Sequence, residues 1–392
     1  MSHFNFDKRI SRTGTYSAKW NGEQHARQYA TIPLSVADMD IPLPERIISE
    51  LSLCTQKGIY GYTLLSDDWQ TTVARWMARH YRWTINPRHA VFCPRVIQAV
   101  SLYIQNFTAP GDAIVSLTPA YHPISHAVTI NQRTLLESEL VYHDGRYAID
   151  FADLEDKFRR ACCFILLSPH NPTGTVWDAA SLEKIAALAE KHQVFIISDD
   201  VHADFIFNYR QHQVISTFSH YVEQHSFICT SPAKTFNMAG LEVANIIIAN
   251  DKYREKFCHC LEAAGIHNPG YYAVPAFLAA YRDCDDWLLA LKSYLAANRA
   301  LAIETLRAAF PAWQITRSEG TYMLWVDYRP SGLTEPQLKH WFLNLAGVEM
   351  SWGSGFGAAG NGFFRINIAT PRATLIEALH RIVSTFPYAH QE

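Results

Sequence analysis

The stretch Ser231-Pro232-Ala233-Lys234-Thr235-Phe236-Asn237 sets a lysine among small residues, directly after the apolar run Phe227-Ile228-Cys229-Thr230. An ammonium at the end of a buried strand is costly to desolvate, so packing explains Lys234 poorly. An amine held in a cleft to form an imine with an aldehyde explains it well. Two more polar groups follow strand-like runs in the same manner. Cys162 to Leu167 leads into Ser168-Pro169-His170-Asn171-Pro172-Thr173-Gly174, and Val194 to Ile197 leads into Ser198-Asp199-Asp200-Val201-His202. Taken singly, Asn-Pro-Thr-Gly is a turn, and a strand-end aspartate is a cap or an ion-pair partner. Spaced about 30 residues apart, the three put an amide, a carboxylate and an amine at one sheet edge, where open α/β folds bind ligands.

The elements that must carry these groups are legible as short apolar runs: Ala113 to Leu117, Cys162 to Leu167, Val194 to Ser198, Phe227 to Thr230 and Asn245 to Ala249. Continuous apolar runs of this length fit strands covered on both faces, as in a parallel sheet. Between the second and third, Ser181 to His192 places Leu182, Ile185 and Leu188 on one helical face, with Ser181 as the expected N-cap. Strand, helix, strand is the α/β signature. Past Asp285 the character changes. A Leu/Ala-rich helical stretch runs from Trp287 to Ala309, and strand-like Tyr322 to Val326 and Phe363 to Ile368 follow. An amphipathic helix from Ala373 to Thr385 ends the pattern. The expected organisation is an N-terminal arm with part of a small domain (1–48), a large domain (49–284) and a C-terminal small α+β domain (285–392).

With 392 residues, 48% of them hydrophobic, the chain can bury a large core. Its 34 basic and 37 acidic residues form no like-charge run, which argues against a nucleic-acid or membrane-surface partner. No stretch is apolar enough to span a bilayer, and Met1-Ser2-His3-Phe4-Asn5-Phe6-Asp7 lacks the apolar segment of a secretory signal, so a cytoplasmic protein is expected. Eight cysteines (54, 93, 162, 163, 229, 258, 260 and 284) form no CxxC pair and read mainly as small buried hydrophobes. Cys258-His259-Cys260 lacks a second ligand pair, so no metal is expected.

Four further segments complete a pattern: Ala37-Asp38-Met39-Asp40, Gly58-Ile59-Tyr60-Gly61-Tyr62, Thr118-Pro119-Ala120-Tyr121 and Phe364-Arg365-Ile366-Asn367. With the three strand-end motifs, nearly the whole chain resembles the fold type I enzymes that depend on pyridoxal 5'-phosphate (PLP), the aspartate aminotransferase superfamily. Within that group it is most similar to the MalY/PatB-type cystathionine β-lyase (C–S lyase) branch. The resemblance implies a large domain with a mixed, mostly parallel central sheet plus a smaller α+β domain. It also implies a homodimer with active sites at the subunit interface.

Residue by residue, the resemblance makes Lys234 the Schiff-base lysine and the base at the substrate Cα, and Asp199 the carboxylate facing the pyridine nitrogen. Asn171 would donate to the cofactor's phenolic oxygen and also face substrate. Tyr121 would stack on the ring. His202 would support the same edge or act as a structural histidine beside Asp199. Backbone amides of Val96 and Ile97 at a helix start, the Ser231 hydroxyl and Tyr62 of the other subunit would hold the phosphate. Arg365 would grip the substrate carboxylate, with Tyr60 and Asp38 as further substrate contacts and Tyr322 and Ser351 to Gly355 as candidate lining.

Departures from the aspartate-type aminotransferases are informative. Their tyrosine three residues after the pyridine-binding aspartate is His202 here, and their phosphate-binding arginine eight residues after the lysine is Glu242. Ala233 replaces a frequent serine. Arg95 stands where a small or uncharged residue is usual, either restoring positive charge near the phosphate or reaching substrate. The implied activity is β-elimination of an S-substituted L-cysteine (cystathionine, a cysteine conjugate or a sulfoxide) to pyruvate, ammonia and a thiol or sulfenate. An aminotransferase is the alternative, and a regulatory PLP-binding protein acting by protein contact a third reading.

Overall fold

The computed structural model describes residues 4–20, 31–207 and 210–387. Residues 1–3 and 388–392, the outer ends of the first and last expected domains, lie outside them. Seven strands build the main sheet: β1 (Ala90–Cys93), β2 (Ala113–Thr118), β3 (Thr134–Glu139), β4 (Ala161–Leu167), β5 (Phe195–Asp199), β6 (Ser226–Thr230) and β7 (Ala244–Ile247). Their spatial order is β1-β7-β6-β5-β4-β2-β3. From β6 across to β3 every pairing is parallel, whereas β7 runs antiparallel to both of its neighbours.

The apolar run at β7 therefore departs from the all-parallel reading of the runs. Residues 231–243 hold only a single-turn helix and a 3-10 turn, with no helix to carry the chain back along the sheet. Without such a crossover the next strand returns antiparallel. The parallel strands bury both faces, as their continuous apolar runs require. Ile196 and Ile228 join one hydrophobic cluster, while Ile197, Phe227 and Cys229 join the cluster on the opposite face. The helix Ala179–His192 begins two residues before the expected start, and Asp178 is its cap, accepting from the Ser181 N–H at 2.8 Å. Ser181 lies inside the first turn instead.

A second, four-stranded antiparallel sheet joins β8 (Gln314–Ile315), β9 (Met323–Asp327), β10 (Ser351–Trp352) and β11 (Phe363–Asn367) in the order β8-β9-β11-β10. The helices Asp285–Ala309 and Arg372–Ser384 pack against each other beside it. The N-terminal pair Ile32–Pro33 adds in parallel to Val348–Glu349. Hydrogen bonds from Leu34 to Glu349 and from Asp40 to Ala369 continue the association. Among the described residues no helix is long and apolar enough to cross a membrane.

Candidate active site

Strand register aligns the three motifs. Leu167 of β4 sits opposite Asp199 of β5, and Asp199 opposite Cys229 of β6, so the polar loops leave the sheet at one level. Ser168 N–H donates to the Asp199 carbonyl at 3.1 Å and Asp200 N–H to the Cys229 carbonyl at 2.8 Å, tying the three exits together. Gly174 closes the first loop at φ +68°, where a Cβ would come within 2.6 Å of the Ser318 side chain, so only glycine fits.

Lys234 lies on a one-turn helix, Pro232–Thr235, rather than in an open loop. Its Nζ donates to the Ala37 carbonyl at 2.7 Å, and Tyr322 Oη reaches the same oxygen at 3.1 Å. Burial lowers the Lys234 pKa to about 8; the positive charge of Arg365 lowers it too, while Asp38 and Asp199 act the other way. A neutral amine is thus accessible near neutrality. The carboxylate of Asp199 receives one weak bond, from Val201 N–H at 3.3 Å, and among the described residues no cation pairs with it. Burial pushes its pKa up to about 7, and the neighbouring charge of Asp200 adds to this. A buried acid left in this state lacks a cationic partner, which a protonated ring nitrogen would supply.

Arg365 stands on β11, 5% exposed, with no carboxylate paired to it among the described residues. Nη1 donates to Asn171 Oδ1 at 2.8 Å, and Nη2 to the Ser35 carbonyl at 2.9 Å and Ser351 Oγ at 3.2 Å. Nε has no partner. Desolvation brings its pKa down to about 10. A buried guanidinium held only by neutral acceptors is an incomplete ion pair, and an α-carboxylate completes it. Asn171 therefore orients Arg365 through its oxygen, leaving its amide nitrogen for a second acceptor. Tyr121 is 39% exposed at the start of the helix His122–Ile130, close enough to Asp199 and Arg365 to feel both charges. His202 is buried with its ring edge toward Tyr322, 5.7 Å between centroids, and its Nδ1 has no partner. Desolvation, with Lys234 and Arg365 adding to it, keeps that imidazole neutral.

The helix Val96–Phe107 opens without a side-chain cap, so the N–H groups of Val96 and Ile97 point out of its first turn unpaired among the described residues. Such amides suit a phosphate. Three expected positions have other contacts in this structure. Ser231 Oγ donates to the Val243 carbonyl at 2.5 Å and accepts from Ala233 N–H, so its one proton is committed to holding the lysine's helix. The Asp38 carboxylate is occupied by Arg12 (2.7 and 3.2 Å), and only the backbone beside it reaches the lysine. Arg95 forms an ion pair with Glu242, so the two unusual residues neutralise each other and neither proposed role of Arg95 is built.

Tyr60 and Tyr62 are not brought to this chain's site. Tyr60 packs on Tyr271 and Tyr272, and Tyr62 is 99% exposed. Sequence reasoning also missed the anchoring residues. Asn237 grips the Met39 N–H and the Met39 and Ile41 carbonyls. Asn367 donates to the Val36 and Asp38 carbonyls. Both follow a singled-out residue within three positions, the only signal available. Lys19, its side chain fully buried against Asp40 at 2.8 Å, gave none.

An amine of lowered basicity, an acid awaiting a cation and free helix-start amides at the carboxyl edge of the seven-stranded sheet, facing an arginine from the smaller antiparallel sheet that awaits a carboxylate, define a site for a phosphate-bearing, cationic-ringed cofactor and an amino acid. The residues present fit PLP. The chain belongs to the family of aminotransferase class I and II, which matches residues 31–382. It is 37% identical to cystathionine beta-lyase PatB of Bacillus subtilis over 96% of this chain and 98% of that one. Its identity to protein MalY of Escherichia coli is 31%, covering 97% and 98%. Among solved structures, cystalysin of Treponema denticola, which contains a pyridoxal 5'-phosphate cofactor, superposes with a TM-score of 0.94 at 30% identity, covering 97% and 98%. These support the fold type I expectation drawn from the motifs.

Proposed function

We propose that this chain is a PLP-dependent C–S lyase that eliminates the β-thiolate of an S-substituted L-cysteine. The observation that carries the reading is the set of incomplete partners around Lys234: Asp199 without a cation and Arg365 without a carboxylate. PLP, when bound, supplies an electron sink in conjugation with the substrate Cα. Lys234, Asp199, Asn171, Tyr121 and the amides of Val96 and Ile97 would hold it. Arg365, steadied by Asn171, Ser35 and Ser351, fixes the substrate carboxylate and with it the direction of the Cα–H bond. Lys234 Nζ takes the Cα proton, a task that its lowered pKa of about 8 suits. As Cα–H and Cβ–S break, Cα=Cβ forms, and the sulfur leaves as thiolate, or as sulfenate from a sulfoxide. Water then yields pyruvate and ammonia.

A sulfur anion leaves readily, so side-chain fit decides the substrate. The 37% identity to cystathionine beta-lyase PatB favours this over transamination. Included in the reading are a cytoplasmic homodimer, with Tyr60 and Tyr62 offered to the partner's site, and the division at residues 48 and 284. The exposed Ile59, Tyr60, Tyr62 and Leu64 support the first. The sheet spans, with Ile32–Pro33 paired to Val348–Glu349, support the second. The test supplies cystathionine or an S-alkylcysteine with no keto acid present. Catalytic pyruvate release is expected. No pyruvate, and instead one equivalent per site of the substrate's own keto acid with its C–S bond intact, would replace the lyase with the aminotransferase.

A further inference from the structure

The helix carrying Lys234 is four residues long, too short to hold itself together, so its position depends on what pins it. Ser231 pins its start to Val243, and Asn237 pins the chain after it to Met39 and Ile41. The third pin acts on the residue adjoining the lysine. Thr235 Oγ1 donates to Asp204 Oδ2 at 2.6 Å, with both residues buried. The other oxygen, Asp204 Oδ1, accepts from Tyr81 Oη at 2.7 Å. Asp204 thus receives two neutral hydroxyls as directional contacts, while the Lys292 ammonium feels its charge from the same cavity.

Its place in the chain supplies a purpose. Asp204 ends the turn Val201–Asp204 that follows β5, whose last residue is Asp199, and Ala203 N–H and Phe205 N–H donate to the Asp200 and His202 carbonyls. Five residues of covalent chain and one hydrogen bond therefore link Asp199 to the backbone of Lys234. Resting on the function proposed above, we infer that Asp204, acting through Thr235, is a positioning residue that sets the Lys234 amine against the group held by Asp199. Tyr81 serves the same carboxylate from the helix Asp67–Tyr81, and among the described residues its hydroxyl makes no hydrogen bond to the segment that carries the lysine. That asymmetry separates positioning from plain stability.

The experiment mixes apo-protein with PLP in a stopped flow and follows visible absorbance as Lys234 captures the aldehyde, alongside thermal melts and steady-state kinetics with an S-alkylcysteine. Thr235→Val is expected to slow capture and lower kcat by about tenfold to a hundredfold, since misplacement of a reacting group by about 1 Å costs that much. KM should stay unchanged. Thr235→Ser should restore both rates. Tyr81→Phe should lower the melting temperature yet leave the capture rate unchanged. If Thr235→Val captures PLP at the wild-type rate, if the serine fails to rescue, or if Tyr81→Phe slows capture equally, the inference is wrong. Should Thr235→Val not fold, Asp204→Ala, which removes the acceptor, carries the same expectation and the same overturning result. Wild type and Lys234→Ala run in parallel: a wild type that never captures PLP overturns the proposed function itself, whereas capture by both wild type and Thr235→Val at one rate overturns only the positioning role.

Discussion

Two aspartate-rich segments meet around Lys234 and are treated oppositely by the fold. Asp38 and Asp40 are saturated: Arg12 spans both, Lys19 reaches Asp40 at 2.8 Å, and the Trp20 indole donates to Asp40 at 2.8 Å. Asp199, whose charge also acts on the lysine, has one long amide bond and, among the described residues, no cation. The first pair fixes a backbone segment whose Ala37 carbonyl cradles the amine. The second retains an unmet electrostatic demand. Acids that are already paired build the site, and acids left unpaired act in it.

The sharpest way to break this contrast is Asp199→Asn. Its neutral amide cannot hold a proton on a ring nitrogen, and a drop in keto-acid formation of about 10²–10³-fold is expected. Stability should move the other way. With a folded pKa raised to about 7, the carboxylate favours the folded state at low pH. That advantage shrinks as pH rises above the ordinary aspartate range and is gone above about 7. Apo Asp199→Asn should therefore melt higher than apo wild type at pH 8 and no higher at pH 4. Equal melting curves at both pH values would show that Asp199 is not the uncompensated charge described here.

Next in size is the saturated pair. Lys19→Met removes a buried ammonium and leaves Asp40 with less compensation, and breaking a buried pair costs about 3–5 kcal/mol. Denaturant unfolding should show that loss, with turnover of the surviving folded protein falling far less than in Asp199→Asn. A Lys19 variant of normal stability would remove the distinction between the two segments. Arg365→Lys comes third. A lysine cannot offer a planar fork to a carboxylate while also holding Asn171, Ser35 and Ser351, so kcat/KM should fall by about 30–100-fold, mostly through KM. The measurement is the split between kcat and KM, and a pure kcat loss would place the substrate carboxylate elsewhere.

How much of this was readable beforehand follows the same division. Lys234, Asp199, Asn171 and Arg365 were legible because each is a polar residue interrupting or ending an apolar run, where burial without a partner is expensive. The parallel strands were legible for the same reason: runs such as Cys162 to Leu167 have no polar face. The reversal of β7 was not, since direction depends on the connection and not on the strand's composition. Lys19 and Arg12 were invisible because their partners lie on another segment, and nothing within Ser17-Ala18-Lys19-Trp20 sets that lysine apart from a surface one. Asp204 and Thr235 were hidden by a contact 31 residues apart. The pairing of Asp38 was hidden likewise, since Arg12 lies 26 residues away in the chain.

The smallest effect tests whether compensation at the surface counts as it does inside. Arg95 caps the helix whose first amides face outward, and its guanidinium pairs with Glu242, both side chains substantially exposed (60% and 44%). Exposed pairs contribute about 0–1 kcal/mol, and their fields are screened within about 8–10 Å in physiological salt. The amides of Val96 and Ile97, by contrast, belong to the backbone and survive any side-chain change. Arg95→Ala should therefore shift PLP affinity by less than about fivefold, equivalent to about 1 kcal/mol, and leave the melting temperature near wild type. Glu242→Gln isolates the cation: with its partner gone, Arg95 becomes a free positive charge beside the helix start, and affinity for the phosphate-bearing cofactor should rise slightly at low salt and not at high salt. A large loss of PLP affinity in Arg95→Ala would mean that this guanidinium leaves Glu242 to meet the phosphate, and the rule that paired charges only build the site would fail at its periphery.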